Sequence, residues 1–338
     1  MGTVIIALLM FLLLVTIHEF GHFIVAKLSG IKVNEFAIGM GPKLFSKQKG
    51  ETLYSFRALP IGGFCAMEGE MDESDNPRAY VNAKPYKKFL TILAGPVMNI
   101  LTAFLIMLIL AFNTGVASNN VRNLTKGLPA ENSNIEIGDK VKSINSIPTD
   151  NLYEIAKIID NYYLYNSKNE PISITVERNG EYIDTKILPD FKSERALIGI
   201  EVDFQKPTIK SAFQEGLRNT INSFKQIFFS FKLLFNGSAG VNDLGGPVAV
   251  VSMVNENQSK MNYDSLFRFL AFISLNLGIF NLLPFPILDG GRLIETIYEM
   301  IAGRRINKRI TDFATLVGGT ALIVLGIFIT FKDIINLF

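Results

Sequence analysis

Three residues near the start of the chain could act together in metal binding and catalysis. They are His18, Glu19 and His22, in the pattern HExxH. They lie in an apolar run that begins at Val4. Histidines four residues apart share one face of a helix, where both imidazoles can bind a single zinc ion. Glu19 flanks that face, where a carboxylate can act as base toward a water activated by the metal. The motif predicts the centre of a metallohydrolase, and a chance match is the alternative.

The setting of the motif argues against chance. The chain has 2 histidines, and both lie in this motif. Ionisable residues at the centre of a bilayer cost roughly 2.5–3.5 kcal/mol each on translocon-type scales, so they are rarely kept there without a function.

Composition indicates a membrane protein. The chain has 338 residues, of which 49% are hydrophobic, and the net charge of +2 gives no argument for nucleic-acid binding. A single cysteine, Cys65, excludes an internal disulfide framework, and we interpret it as a small apolar residue near a bilayer surface. The first apolar run is not predicted to be a cleaved signal peptide, because it has neither a basic leader nor a small-residue cleavage site.

Four segments are long enough to cross about 30 Å of hydrocarbon. They are Val4–Leu28, Phe89–Phe112, Leu266–Leu288 and Phe313–Phe331. At 1.5 Å per residue His18 lies about 21 Å along the first span, inside the membrane. Lysines and arginines are concentrated between spans one and two and between spans three and four, which places those loops in the cytoplasm. The N-terminus, residues 113–262 and the C-terminus are then outside, and the metal site faces the cytoplasm.

The loop after the first span has its own pattern. Apolar residues alternate with Gly and Pro over 33–45 and 52–64, which predicts short strands. Non-helical backbone survives at membrane depth only if it is buried in protein or lines a wet cavity. Our hypothesis is a re-entrant β-hairpin that pairs with an unwound substrate, and the alternative is an amphipathic cytoplasmic hairpin.

The external segment begins with a predicted β-rich binding module at about 116–204. It is expected to contain a helix near Leu152–Asn161 and strands at Ile172–Arg178 and Tyr182–Leu188. Such modules can bind a peptide as an added strand. Residues 208–235 form an amphipathic pattern, either in the outer interface or docked on the module. The turn Leu244-Gly-Gly-Pro-Val has no assigned role.

A catalytic zinc site normally has three protein ligands, and no third histidine exists. The third ligand is therefore a carboxylate or a backbone oxygen, and Asp289 is the best candidate in the later spans. Pro284 and Pro286 interrupt the preceding helix, while Gly290 and Gly291 allow a sharp turn after the aspartate. The alternative is that Asp289 only caps a helix at a membrane exit.

Two asparagines, Asn276 and Asn281, lie in the apolar third span. Either can link helices by hydrogen bonds. We favour Asn281 as a hydrogen-bond donor to the substrate or to an oxyanion, because it lies close to the proline-broken stretch.

Together these motifs resemble the site-2 protease family of intramembrane zinc metalloproteases, in its RseP-like bacterial branch. The similarity covers HExxH, Gly39-Met-Gly-Pro, Ala94-Gly-Pro-Val-Met-Asn, Ile137-Gly-Asp and the pattern Asn-x-x-Pro-x-Pro-x-Leu-Asp-Gly that begins at Asn281. The resemblance implies His18, His22 and Asp289 as zinc ligands and Glu19 as catalytic base. It also implies a substrate-handling role for Asn281, Pro284, Pro286, Gly39 and Gly41.

The resemblance also implies the fold class: a polytopic α-helical membrane protein with four transmembrane helices, a membrane re-entrant β-hairpin and one extracytoplasmic PDZ-like β-rich domain. The expected boundaries are 1–28 for the first span, 29–88 for the cytoplasmic and re-entrant β region, 89–112 for the second span, 113–206 for the PDZ-like domain, 207–262 for the amphipathic helix and linker, 263–289 for the third span, 290–312 for a cytoplasmic loop and 313–338 for the fourth span.

The implied activity is hydrolysis of transmembrane segments in membrane proteins that another protease has already trimmed, such as an anti-sigma factor or a signal-peptide remnant. The expected cofactor is Zn²⁺, and the expected surroundings are the lipid bilayer of the cell membrane. Two other classes stay open: a membrane metal transporter and a non-catalytic scaffold that displays a PDZ-like domain. The substrate's identity and the oligomeric state are not predicted.

Overall fold

A computed structural model describes residues 2–70, 72–149, 155–156, 158–159, 162–163, 169–191, 196–236 and 263–335. The chain forms two compact units. The first comprises residues 1–110 and 216–338, and the second comprises residues 111–215. The Leu244-Gly-Gly-Pro-Val turn and most of the helix expected near Leu152–Asn161 lie outside the described residues.

Six helices of more than four residues are present in the described part of the chain. They are α1 (Gly2–Leu28), α2 (Pro85–Thr114), α3 (Ile209–Phe235), α4 (Tyr263–Asn281), α5 (Asp289–Ala302) and α6 (Lys308–Ile335). By length and composition α1, α2, α4 and α6 are each able to cross a membrane, which agrees with the four segments predicted from hydropathy. The amphipathic pattern at 208–235 is confirmed as the helix α3.

The third candidate span differs from its predicted extent. The helix α4 ends at Asn281 instead of continuing to Leu288, because prolines at 284 and 286 cannot continue the helical hydrogen-bond ladder. A second difference lies in the next segment. Residues 290–312 were expected to form a loop, but α5 makes them helical as far as Ala302. Helix α5 ends at Ala302, and the next residue, Gly303, takes the left-handed conformation common at helix C-termini (φ 67°).

Close helix packing in the first unit depends on small residues. A Cβ atom added at Gly21 would lie 2.8 Å from the backbone carbonyl carbon of Ala94, so the backbones of α1 and α2 are nearly in contact there. One buried apolar cluster joins α2, α3 and α4. Its members are Ala103, Met107, Leu110, Ile227, Ala271, Leu275 and Ile279.

The loop after α1 forms two long strands, β1 (Val33–Lys49) and β2 (Thr52–Met67). Both strands bend, so that residues 35–38 pair with 53–56 on one side and with 63–66 on the other. Gly39 and Gly41 lie at the bend of β1, with φ of 84° and 82°, a conformation that favours glycine. The outer edge of residues 63–67 is left without a strand partner among the described residues.

The turn between β1 and β2 is held by charge. Arg78 donates to Glu51 at 2.6 Å, and Lys27 at the end of α1 donates to the same carboxylate at 2.5 Å. These hydrogen bonds from Arg78 and Lys27 lower the pKa of Glu51 to about 2. The hairpin is therefore fixed to the end of the helix that carries HExxH.

The second unit contains a sheet of six strands: β3 (Val116–Leu124), β4 (Lys140–Ile144), β5 (Ile147–Pro148), β6 (Ile172–Arg178), β7 (Glu181–Ile187) and β8 (Ile200–Gln205). Their order is β7-β6-β4-β3-β8, with β5 paired to β4. The two strands predicted near 172–178 and 182–188 are observed as β6 and β7. Fully buried side chains of Val141, Ile172 and Ile174 contribute to its core.

The Ile137-Gly-Asp motif has a structural role in this unit. Two nitrogens of Arg178 donate to the two carboxylate oxygens of Asp139 at 2.7 and 2.8 Å, and the Glu136 amide donates to the same group at 2.8 Å. Burial of Asp139 opposes ionisation, but these hydrogen bonds outweigh it, and the pKa of Asp139 is below its ordinary value of 3.8. The stabilisation is therefore present above that value and is lost as the pH falls through the lower folded-state pKa.

We expect Asp139→Asn to weaken the β3–β4–β6 region, because the Arg178 guanidinium loses its buried ionised partner and is left with the exposed carboxylate of Glu136, 2.6 Å away. The expected cost is about 2 kcal/mol, or roughly thirtyfold faster hydrogen exchange at the amides of β4 and β6. The exchange rates of these amides are measured on the full chain in detergent. Glu181→Gln, a change at an exposed position, is the matched control. Equal exchange in the two variants would show that the ion pair does not stabilise the sheet.

Candidate metal centre

Three side chains converge on one point in the first unit. Nε2 of His18 lies 3.0 Å and Nε2 of His22 lies 3.4 Å from Oδ2 of Asp289, and the two imidazole nitrogens lie 3.2 Å apart. His18 and His22 are buried, and the side chain of Asp289 is 14% exposed. The two imidazoles come from one face of α1, and the carboxylate comes from the first residue of α5.

This arrangement fits a zinc ion. Ligand atoms at about 2.0–2.2 Å from a tetrahedral zinc lie roughly 3.3–3.6 Å from one another. The three observed separations of 3.0, 3.4 and 3.2 Å are close to that spacing. Oδ2 of Asp289 is buried, and no donor among the described residues hydrogen-bonds to it. Two imidazoles and one carboxylate also form the donor set of a catalytic zinc site with an open fourth position.

Helix α2 orients the ring of His22. Its Nδ1–H donates to the backbone oxygen of Thr91 at 2.8 Å. With the proton on Nδ1, the lone pair of Nε2 is free to bind a metal. His18 has a different neighbour on α2, because its Nδ1 lies 3.2 Å from the side-chain amide of Asn99.

Gly95 provides the space between these two contacts. A Cβ atom at position 95 would lie 2.9 Å from Cε1 of His18 and closer still to Nε2 of His22. The glycine of the Ala94-Gly-Pro-Val-Met-Asn motif is therefore required by the close approach of two imidazoles to the α2 backbone.

Glu19 lines the same cavity as the three converging side chains. The cavity has a volume of about 670 Å³, and one wall is the stretch 64–70 at the end of β2. The backbone amide of Cys65 donates to Oε2 of Glu19 at 3.0 Å. Cys65 therefore lies next to the centre, which its interpretation as a small apolar residue at a bilayer surface did not anticipate.

Asp289 is held in place by its own helix. It is the first residue of α5, and the N-cap position before it is Leu288, so Asp289 does not occupy the cap position that the alternative assumed. Arg292 on the next turn pairs with Glu70 after β2, and Lys88 on α2 donates to Glu299 at 3.0 Å. These ion pairs fix α5, and with it the carboxylate, against the elements that carry the other groups.

Gly290 and Gly291 are needed for a reason other than the predicted sharp turn. Neither has a positive φ. Added Cβ atoms would instead lie 2.6 Å from the carbonyl carbon of Leu282 and 2.9 Å from that of Phe285. The loop 282–288 thus folds back onto the start of α5, and only glycine allows this approach.

The remaining predicted site residues are dispersed. Asn281 lines the cavity. Pro284, Pro286, Gly39 and Gly41 are not part of its wall: the prolines lie in the loop between α4 and α5, and the glycines lie at the bend of β1. A substrate-handling role for these four residues remains a prediction.

The side-chain NH₂ of Asn276 bonds within its own helix in the part of the chain that the structure describes. That group donates to the oxygen of Phe272, four residues earlier in α4, at 3.0 Å. The interhelical hydrogen bond at this level is made by Ser274, which donates to the backbone oxygen of Asn99 at 2.8 Å.

Comparison with known proteins identifies the class. The model of peptidase family M50 matches residues 6–325. A protein of Clostridium perfringens is 38% identical over 339 residues, which cover 98% of each chain, and one of Clostridium acetobutylicum is 35% identical over 335 residues, which cover 98% of this chain and 97% of the relative. A third, from Fusobacterium nucleatum, is 32% identical over 345 residues, or 99% of each chain. All three carry the description "putative zinc metalloprotease".

The chain therefore belongs to peptidase family M50, the site-2 protease family. It is a metalloprotease with zinc as its cofactor, and its four apolar helices fit a multi-pass membrane protein. This finding favours an enzyme over the transporter and over the non-catalytic scaffold.

We expect Gly95→Ala to disrupt the centre, because the methyl group would occupy the space of the His22 ring. Displacing the ring should weaken zinc binding roughly tenfold or more, as measured by competition with a chelator. Gly326→Ala is the matched control, since a Cβ at that helical glycine meets nothing within 4 Å. Wild-type zinc affinity in Gly95→Ala would show that the ring does not need this space.

Proposed function

We propose that this protein cleaves peptide bonds within the membrane, in transmembrane segments of proteins that have already been trimmed outside. His18, His22 and Asp289 hold the zinc, and Glu19 is the catalytic base. The observation that carries the proposal is the convergence of three ligand atoms, 3.0 to 3.4 Å apart, in a cavity that Glu19 also lines. Intramembrane proteolysis is the general activity of the family.

Each group has a defined task in the hydrolysis. When bound, the zinc acts as a Lewis acid toward the scissile carbonyl and lowers the pKa of water. Glu19 takes a proton from the attacking water and passes it to the leaving amine. Asn281, which lines the same cavity, can donate its side-chain NH₂ to the carbonyl oxygen as negative charge develops on it.

The substrate has to be extended at the cleaved bond, because the amides of a helix are shielded and internally bonded. The outer edge of residues 63–67 supports this role, since no described strand pairs with it and it forms a wall of the cavity. A substrate strand added at this edge regains the hydrogen bonds that it loses on unwinding. In this proposal β1 and β2 form the re-entrant hairpin, and residues 64–67 of β2 line the cavity where non-helical backbone is tolerated at membrane depth.

The second unit acts as a filter in the proposal. Its sheet and single core are consistent with a small PDZ-like module outside the cell membrane. It admits substrates whose external part is already short, such as an anti-sigma factor or a signal-peptide remnant after a first cleavage.

We expect Glu19→Gln to retain zinc and to lose cleavage, because the amide cannot accept the proton. Loss of a general base lowers the rate by roughly 10²–10⁴-fold. The assay is cleavage of a reporter transmembrane peptide in detergent, together with the zinc content of each variant. Glu181→Gln, an exposed change in the second unit, is the control with wild-type activity. Unimpaired cleavage by Glu19→Gln would remove Glu19 from the role of base.

The proposed orientation is testable because the chain has one cysteine, which is buried. In a Cys65→Ala background we expect Lys126→Cys to react with a membrane-impermeant maleimide added to intact cells. Arg304→Cys should react only after permeabilisation, because it lies in the proposed cytoplasmic segment. Both positions are exposed. The reverse labelling pattern would refute the orientation.

A further inference from the structure

The imidazole of His18 has a partner on α2 that has no role in the hydrolysis proposed above. Nδ2 of Asn99 lies 3.2 Å from Nδ1 of His18. Asn99 is fully buried (0% exposed), and its Oδ1 has no hydrogen-bond partner in the described part of the chain. A buried amide with one unpaired end is costly, at about 1–3 kcal/mol, and a leucine of similar size would avoid that cost. Packing alone therefore does not account for an asparagine at this position.

Three residues of α2 face the imidazole pair at intervals of four. Thr91 accepts the Nδ1–H of His22 through its backbone oxygen, Gly95 leaves space for both rings, and Asn99 meets His18. Residues four apart lie on one face of a helix, so this face of α2 is the surface on which both rings rest. The backbone of Asn99 is itself fixed, because Ser274 of α4 donates to its oxygen at 2.8 Å.

Zinc binding determines which end of the Asn99 side-chain amide, the donor or the acceptor, has to face His18. If His18 binds the metal through Nε2, its Nδ1 carries the proton and needs an acceptor. The amide NH₂ of asparagine is a donor, whereas Oδ1 is an acceptor, and a half-turn about the Cβ–Cγ bond exchanges the two ends.

We propose that Asn99 is a positioning residue of the zinc centre, whose Oδ1 accepts the Nδ1–H of His18 in the metal-loaded protein. This fixes the tautomer and the ring orientation of His18, as the Thr91 oxygen does for His22. The inference rests on the proposed assignment of His18 as a zinc ligand.

The test compares zinc affinities of the full-length protein by chelator competition. Asn99→Leu removes the acceptor and should weaken zinc binding about 10–100-fold, whereas Asn99→Asp supplies a carboxylate acceptor and should stay within about threefold of wild type. Thr102→Val is the matched control, because it removes a partly buried hydroxyl from the same helix. That hydroxyl donates to the backbone oxygen of Met98 within α2. Asn99→Ala provides the same comparison if Asn99→Leu does not fold.

A second readout separates positioning from a merely structural role. Because the chain has 2 histidines, ¹⁵N-histidine labelling reports each imidazole separately. In the zinc-loaded protein, Asn99→Leu should shift the Nδ1 resonance of His18 and leave that of His22, which still donates to Thr91, unchanged.

The outcomes are distinct. Wild-type zinc affinity in Asn99→Leu, or an Asn99→Asp variant as weak as Asn99→Leu at equal melting temperature, would overturn the inference while the centre itself stands. If His18→Ala binds zinc as tightly as wild type, His18 is not a ligand, and both the proposed centre and the inference fail.

Discussion

A pair of histidines inside an apolar helix has four ring nitrogens, and each needs a partner before the pair can be buried. Unpaired polar groups are more costly here than at a protein surface, because the bilayer core contains no water to replace them. One nitrogen donates to a backbone oxygen of α2, a second lies against a side-chain amide of α2, and two face the carboxylate of Asp289. Much of the packing in the first unit follows from this requirement.

The requirement explains why glycines occur where the helices approach the centre. Gly21 brings α1 against the α2 backbone, and Gly95 leaves the space that the two imidazoles fill. At the other side of the centre, Gly290 and Gly291 let the broken stretch 282–288 fold onto the start of α5, so that Asp289 reaches the imidazoles. Ion pairs outside the centre, Arg292 with Glu70 and Lys88 with Glu299, keep α5 from moving away from it.

The sequence predicted these features to different degrees. Hydropathy located the four long apolar helices, because membrane spans need length and little else. Asp289 was the candidate for the third ligand by elimination, since the chain has no other histidine and Asp289 follows a proline-broken stretch, and the structure places its carboxylate beside both imidazoles. Contacts across distant parts of the chain left no local signal: nothing in the order of residues shows that the Cys65 amide reaches Glu19. Asn99 had a usable signal, as an amide in an apolar helix, but the same signal at Asn276 led to a contact within its own helix.

The edge of β2 connects the chemistry with the choice of substrate. The amide of Cys65 that bonds to Glu19 belongs to the unpaired edge of residues 63–67. A substrate strand paired along this edge would therefore place its backbone beside the carboxylate. A helical segment makes no such pairing, because its amides are already bonded within the helix. Under the proposed function, such an enzyme would select transmembrane segments by how readily they unwind, so glycines, prolines and polar residues near the cleaved bond would matter more than any one side chain.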